Sequence, residues 1–107
     1  MSLVDLAALD AIIARLEKAD ALVERYTDLI VAEMRHLVPV KTGALRNSIS
    51  AQLDGLVAEI VAGETLPDPR AVVQEYGSAR IPAHPYLRPA IERYAAAFLA
   101  EIQALLD

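Results

Sequence analysis

Apolar side chains follow a helical period through the first third of the chain. Between residues 2 and 37 they recur at steps of three and four, uninterrupted by glycine or proline, which is the pattern of one face of an α-helix. Ser2 and Asp5 have the spacing of a capping box, with Asp in place of the usual Glu. Pro39 cannot continue a helix and ends the pattern. The apolar face consists of Leu6, Leu9, Ile12, Leu16, Ala19, Val23, Tyr26, Ile30, Met34 and Leu37.

The length of this helix indicates that it needs a partner. At about 1.5 Å per residue it would extend for roughly 50 Å, whereas a compact chain of this size has a diameter of about 35 Å. A straight helix would overhang its own domain with part of its apolar face uncovered. It must bend, break or pack on another subunit, and we favour another subunit.

Residues 47–63 change to the two-residue period of a β-strand with one buried face. Asp54-Gly55 predicts a two-residue hairpin turn, because both residue types tolerate positive φ. The return strand is expected from Leu56 to Ala62. The apolar residues that alternate in the first strand are Ile49, Ala51 and Leu53.

The rest of the chain predicts a loop, an undecided element and a second helix. Residues 63–70 form the loop, and residues 71–76 fit a short helix or a third strand equally well. The last helix runs over about 87–106, with Pro89 in its first turn. We therefore predict one α+β domain over residues 1–107. It has a long N-terminal helix (about 2–37), a small antiparallel sheet built on a β-hairpin (within about 45–85), and a C-terminal helix packed on the sheet.

Composition supports a domain that is completed by its neighbours. Apolar residues make up 55% of the chain, but 20 of them are alanine, so the core must come from 32 Leu, Ile and Val. A small domain of this kind is marginally stable alone, and oligomerisation is a common remedy. The absence of cysteine excludes disulfide scaffolds, thiolate zinc sites and cysteine nucleophiles. His36 and His84 lack metal-ligand spacing, so no metal or cofactor is expected.

The charge is unevenly distributed. The formal net charge of −5 divides into −4 for residues 1–34, +1 for residues 35–93 and −2 for residues 94–107. This acidic excess argues against a protein that grips phosphate backbones. The longest uncharged stretch has seven residues, too short to span a membrane. One strip of the first helix is acidic and forms a solvated face, a docking surface for a basic neighbour, or a surface that repels DNA; it consists of Glu17, Asp20, Glu24 and Asp28.

Catalysis is not favoured by any motif. A triad of Ser48, His84 and Asp68 can be written down, but no nucleophile-elbow motif accompanies it. We expect no catalytic residue and keep a hydrolase as the weakest alternative.

Three blocks in the middle of the chain read as corners of the fold. In residues 38–49, Thr42 would cap a turn, Gly43 would adopt a backbone conformation that other residues avoid, and Leu45 and Ile49 would pack under the first helix. In residues 74–78, which contain Glu75, the ring of Tyr76 would pack inward beside a sharp turn at Gly77. In residues 82–91, the direction of the last helix would be set by Pro85, Tyr86, Leu87 and Pro89. The alternative is that all three blocks serve the fold alone and none binds a partner.

These blocks, in this order, resemble the small tail-component family of tailed bacteriophages, whose members lie at the head–tail joint as neck or tail-completion proteins. The family pattern is Pro-x-x-Thr-Gly-x-Leu-x-x-Ser-Ile after a long helix, then Glu-aromatic-Gly-Ser/Thr, then Pro-aromatic-Leu-x-Pro-Ala at the start of the last helix. The resemblance covers roughly residues 20–106. One departure is Arg70-Ala71, where the family often has Tyr-Ala.

The resemblance implies a structural virion protein, made in the bacterial cytoplasm, that forms a sixfold ring at the head–tail junction. Its partners would be further copies of itself, the head connector, and tail-tube or terminator proteins, while DNA passes through the ring unread and no membrane is involved. Neck completion and tail termination both remain open. The alternative is a small homo-oligomeric helical adaptor of cellular origin. The candidate motif and interface residues are Thr42, Gly43, Leu45, Arg46, Ser48, Glu75, Tyr76, Gly77, Pro85, Tyr86, Leu87 and Pro89, with Leu16 and Val23 on the first helix.

Overall fold

A computed structural model of the protein describes residues 6–38, 43–64, 66, 70–80 and 82–107. It confirms the predicted fold class, an α+β domain with a long N-terminal helix, a two-stranded antiparallel sheet and a C-terminal helix. The elements in chain order are α1 (Leu6–Leu37), α2 (Gly43–Ser48), β1 (Ser50–Asp54), β2 (Val57–Val61), α3 (Arg70–Tyr76) and α4 (Leu87–Leu106). No helix within the described ranges is both long and apolar enough to cross a membrane.

The helix α1 is continuous over 32 residues, a length of about 48 Å. The molecule measures 66 × 25 × 22 Å and has a radius of gyration of 18.4 Å, against about 13 Å for a compact chain of this size. The expectation that α1 overhangs its own domain is therefore confirmed. The predicted capping box at Ser2 and Asp5 lies outside the described residues.

The helix α4 runs antiparallel along the middle and C-terminal half of α1. Arg25 of α1 pairs with Glu101 at 2.7 Å, and Glu33, two turns further along α1, pairs with Arg93 at 2.9 Å. Between these ion pairs, the ring of Tyr26 packs on the rings of Tyr94 and Phe98, with centroids 6.3 and 5.3 Å away. Aromatic contacts on the inner side and ion pairs on the outer side thus fix the register of the two helices.

The hairpin turn differs from the prediction by one residue. Asp54 pairs with Val57 as the last rung of the ladder, so Gly55 and Leu56 form the turn. Gly55 has a φ of 59° and occupies the first turn position, where a type II′ hairpin takes glycine. The return strand consequently begins at Val57, and not at Leu56.

The sheet is narrower than the predicted 45–85 region. It spans residues 50–61, because α2 precedes it and the undecided segment after it is a helix, α3. The main core lies where the C-terminal half of α1 meets α2, the hairpin and the start of α4. Leu45 and Ile49 are almost wholly buried beneath α1, as expected. The buried members of this core are Val31, Met34, Val38, Leu45, Ile49, Tyr86 and Ala90.

Candidate assembly surface

The first block ties the end of α1 to the hairpin. The Arg46 side chain donates from Nε to the carbonyl oxygen of Arg35 at 3.1 Å, one of the last four carbonyls of α1, which have no partner within the helix. Arg35 in turn donates from Nη2 to the carbonyl oxygen of Ile49 at 2.7 Å. The Ser48 hydroxyl donates to the Leu45 carbonyl at 2.6 Å and accepts the N–H of Gly63 at 2.7 Å. Arg46 and Ser48 therefore hold backbone segments together.

The expectation for Gly43 is wrong. Gly43 begins α2, and it does not belong to the glycines with positive φ. A Cβ atom built on it would meet nothing within 4 Å. Gly43 begins a short right-handed helix, so no left-handed backbone is needed at this position. Thr42, predicted to cap the turn, lies outside the described residues.

A buried carboxylate joins the second block to the third. Glu75, only 7% exposed, accepts on Oε1 from the backbone N–H groups of Tyr86 at 3.4 Å, Leu87 at 2.7 Å and Arg88 at 3.3 Å. These N–H groups open α4, and the side chain of Tyr86 itself makes no capping bond. A negative charge at the N-terminus of a helix is favourable, because it meets both the unpaired N–H groups and the positive end of the helix dipole. Glu75 is thus a cap for α4 supplied from α3.

Tyr86, the residue before α4, also forms a hydrogen bond with α3. Its buried ring carries a hydroxyl that donates to the carbonyl oxygen of Ala71 at 3.1 Å. Burial, and secondarily the nearby charge of Glu75, raise the pKa of the Tyr86 phenol. The N–H of His84 donates to the carbonyl oxygen of Gln74 at 2.7 Å. The segment before α4 is therefore bonded along the length of α3.

The turn after α3 is partly as predicted. Gly77 has a φ of 78°, which confirms a sharp corner there. The ring of Tyr76, however, is 67% exposed, so the expectation that it packs inward is wrong. Because Glu75 occupies the inner side of α3, the next residue along the helix faces outward. The guanidinium of Arg88 lies over the exposed Tyr76 ring, 5.8 Å from its centroid.

The remaining members of the third block divide between the core and the surface. Leu87 packs partly buried against the core, Pro89 is half-buried, and Pro85 is exposed. His84 is also exposed, while Ser48 uses its hydroxyl in the two backbone bonds described above. Asp68, the third residue of the conceivable triad, lies outside the described residues.

The first turns of α1 lie at the other end of the molecule. Every residue from Ala7 to Lys18, a segment that we name the tip, is exposed. The tip nevertheless carries a stripe of large aliphatic side chains: Leu9, Ile12, Ile13 and Leu16.

Next to the tip lies an apolar groove of about 330 Å³ between α1 and the last turns of α4. Val23 is buried at its base, and Leu16, half-exposed, belongs to both groove and tip. Leu16 and Val23, predicted as interface residues on α1, therefore share one surface. The groove is lined by Arg15, Leu16, Ala19, Val23, Leu56, Phe98, Leu99, Ile102, Leu105 and Leu106.

Sequence reasoning missed Leu56 and the flank formed by Leu99 and Leu106. Leu56 was assigned to a strand, but it lies in the turn and reaches the groove. Leu99 and Leu106 each directly follow another large apolar residue of α4, Phe98 and Leu105, so these two doublets were the available signal for a wider apolar face.

A second apolar groove of about 340 Å³ continues from the first, between α1, the hairpin and α4. Val23, Leu56 and Phe98 line both grooves, so the apolar surface is continuous along the helix pair. The acidic strip Glu17, Asp20, Glu24 and Asp28 is exposed on α1. The helix pair therefore carries one continuous apolar surface, with an exposed acidic strip on α1.

Among the described residues, no three His, Asp or Glu side chains are grouped so as to hold a metal ion. The resemblance to phage tail components rests on the three blocks of the sequence alone. No protein-family model, curated protein or solved structure matches this chain.

Proposed function

We propose that the protein is a structural subunit of a tailed-phage particle, located at the head–tail junction, that assembles into a ring by covering the apolar surface of α1. The observation that carries the proposal is the continuous apolar surface made by the tip and the groove. Exposed apolar surface of this extent is typical of proteins that associate with a partner.

The phage assignment depends on the three sequence blocks, and each block makes hydrogen bonds that join elements of the fold. Arg46 and Ser48 of the first block hold α1 to the hairpin, while Glu75 of the second caps the helix that the third begins. The blocks therefore encode one arrangement of helices and hairpin. A chain that shares them is expected to share that arrangement and to differ on its outer surfaces.

Association would be driven by burial of Leu and Ile side chains, with charged residues at the rim setting the register. The acidic strip on α1 lies beside this apolar surface and can meet a basic neighbour. A chain of net charge −5 has little attraction for DNA, which suits a ring that lets DNA pass without binding it.

The opposite end of the molecule is proposed to contact the adjoining rings. The described parts of residues 38–47 and 64–82, which include α2, α3 and the exposed residues Tyr76 and Arg80, would make these contacts. Contacts of this end with head-connector and tail proteins would place the subunit in the particle. Neck completion and tail termination are both compatible with this placement.

Deletion of the gene from its phage or prophage tests the function directly. We expect electron micrographs of the lysate to show filled heads and separate tails, with joined particles restored by the wild-type gene supplied in trans. Restoration by His84→Ala, at an exposed residue, is expected as well and would remove the hydrolase alternative. Normal particles from the deletion strain would reject the virion role. A purified protein that stops at a stable dimer, with no larger ring, would then favour the cellular adaptor.

A further inference from the structure

The tip is a helical segment that its own subunit leaves uncovered. Leu16 and Leu106 line the same groove, so α4 ends beside Leu16 and the preceding turns of α1 project beyond it. The tip of twelve residues is about 18 Å long. A short helix whose apolar face is exposed is marginal in water, because most helical stability in proteins comes from packing of that face. Ile12, 53% exposed, lies at the centre of that face.

The adjacent groove has the length and chemistry to receive such a helix. Its α4 wall runs from Phe98 to Leu106, about 12 Å, and matches the aliphatic stripe of the tip. Leu99 is 64% exposed on this wall. Arg15 is the charged residue among the described residues that line the groove, and the tip is balanced in charge, with Asp10 and Glu17 against Arg15 and Lys18, so the apolar side chains carry the match.

We propose that the groove of one subunit holds the α1 tip of a second copy of this chain. The inference rests on the self-assembly in the proposed function and names the two surfaces that meet. Each contact joins the 12 residues of one tip to the 10 residues of one groove, fewer than the roughly 20 to 30 residues a side of a standard stable interface, and each chain takes part in two such contacts. Since the two surfaces differ, each copy donates one tip and accepts another, and association continues until it closes on itself.

Two charge substitutions separate the surfaces. Ile12→Asp places a carboxylate on the stripe of the tip, and Leu99→Asp places one in the groove. Both positions are largely exposed in the single chain, so the fold is expected to survive, and circular dichroism verifies it. The matched controls are Ala11→Asp and Ala100→Asp, at exposed neighbours on the opposite sides of α1 and α4.

The experiment is sedimentation equilibrium of each purified variant and of an equimolar mixture. We expect wild type and both controls to self-associate, and Ile12→Asp and Leu99→Asp each to associate at least about tenfold more weakly. Mixing the two weakened variants leaves one intact tip and one intact groove in the pair. The mixture is therefore expected to form a 1:1 heterodimer that stops at two chains.

Three results would overturn the inference. They are a monomeric wild type throughout the concentration range, self-association of Ile12→Asp equal to that of Ala11→Asp, and two weakened variants that do not pair when mixed. The second and third would point to a different self-contact and the first to an unrelated partner protein. None of the three reports on the virion role, which the deletion experiment tests separately.

Discussion

The end of α1 that enters the core and the end that projects from it have similar aliphatic contents and opposite surroundings. At the core end, Met34, Leu45 and Ile49 are almost inaccessible to solvent. At the tip, every residue from Ala7 to Lys18 is exposed, including Leu9, Ile12, Ile13 and Leu16. One helical stripe is therefore packed within the molecule at one end and left exposed to solvent at the other, where we propose that it associates with a second copy.

Polar groups show the same contrast. At the core end, side chains form hydrogen bonds with the backbone; these side chains are Arg35, Arg46, Ser48 and Glu75. Such hydrogen bonds fix the direction of the backbone. Removal of one partner destabilises the fold where it leaves a buried N–H or C=O group unpaired. At the tip, substitution of the apolar side chains is expected to affect association with other chains and to have little effect on stability. Stability should thus depend on the core end and assembly on the tip.

The largest expected effect is on the packing of the core end. Leu45→Ala deletes part of a wholly buried side chain and should lower the free energy of unfolding by about 2–5 kcal/mol. Leu16→Ala makes the same chemical change at the tip and should cost less than about 1 kcal/mol in dilute protein, because that side chain is half-exposed. Urea denaturation measures both. Equal losses would show that the tip is already packed within the single chain.

The second effect concerns the carboxylate that caps α4. Glu75→Ala leaves the N–H groups of Tyr86, Leu87 and Arg88 without their acceptor and should lower the free energy of unfolding by about 1–3 kcal/mol. Glu75→Gln keeps an acceptor oxygen but loses the charge, so it should recover part of that loss. Glu64→Ala, at an exposed loop residue, is the control for removal of one negative charge. A loss no greater than that of the control would mean that the cap contributes nothing.

Ionisation of Tyr86 is expected to make the free energy of unfolding depend on pH in the alkaline range. Its pKa is raised in the folded protein, so the unfolded chain, with an ordinary phenol pKa of about 10, ionises first. The stabilisation is therefore complete below about pH 10 and is lost as the pH rises through the folded pKa. Tyr86→Phe removes this titration and also the bond to the Ala71 carbonyl, at a cost of about 1 kcal/mol near neutral pH.

The measurement is the difference in unfolding free energy between wild type and Tyr86→Phe at neutral pH and above pH 10. That difference should shrink as the pH rises, since wild type loses a stabilisation that the variant lacks. Tyr76→Phe, at an exposed ring, is the control for removal of a phenol hydroxyl. A difference for Tyr86→Phe that does not change with pH would contradict the buried, hydrogen-bonded phenol.

The period of the apolar residues was sufficient to predict the long helices, each of which has one continuous apolar stripe. The ends of α1 and α4 fell where Pro39 and Leu87 indicated, because a 3.6-residue pattern over many turns has few alternatives. The short elements were harder. The hairpin has one more residue pair than predicted, Asp54 with Val57, because pairing across a hairpin depends on both strands. The segment that forms α3 could not be assigned, because seven residues contain too little pattern to distinguish a helix from a strand.

The candidate surface could be predicted only in part, because part of it depends on how separate elements pack together. Leu16 and Val23 followed from the stripe of α1, but the opposite wall at Leu99 depends on how α4 is rotated against α1. The role of Glu75 was hidden as well, since its three N–H partners lie 11 to 13 residues away. Local sequence does not encode such a contact.

The smallest expected effect concerns Gly43, where the sequence suggested strain that the backbone lacks. Gly43→Ala should be neutral or raise the free energy of unfolding by up to about 1 kcal/mol, because the residue begins α2, has open space around its Cα, and alanine restricts the unfolded chain. Gly77→Ala should be destabilising by more than that, since a φ of 78° is strained for any residue with a Cβ. Both are measured by urea denaturation. A loss at Gly43 equal to that at Gly77 would restore the original idea of a left-handed turn after α1 and, with it, a sharper reversal of the chain at the core end.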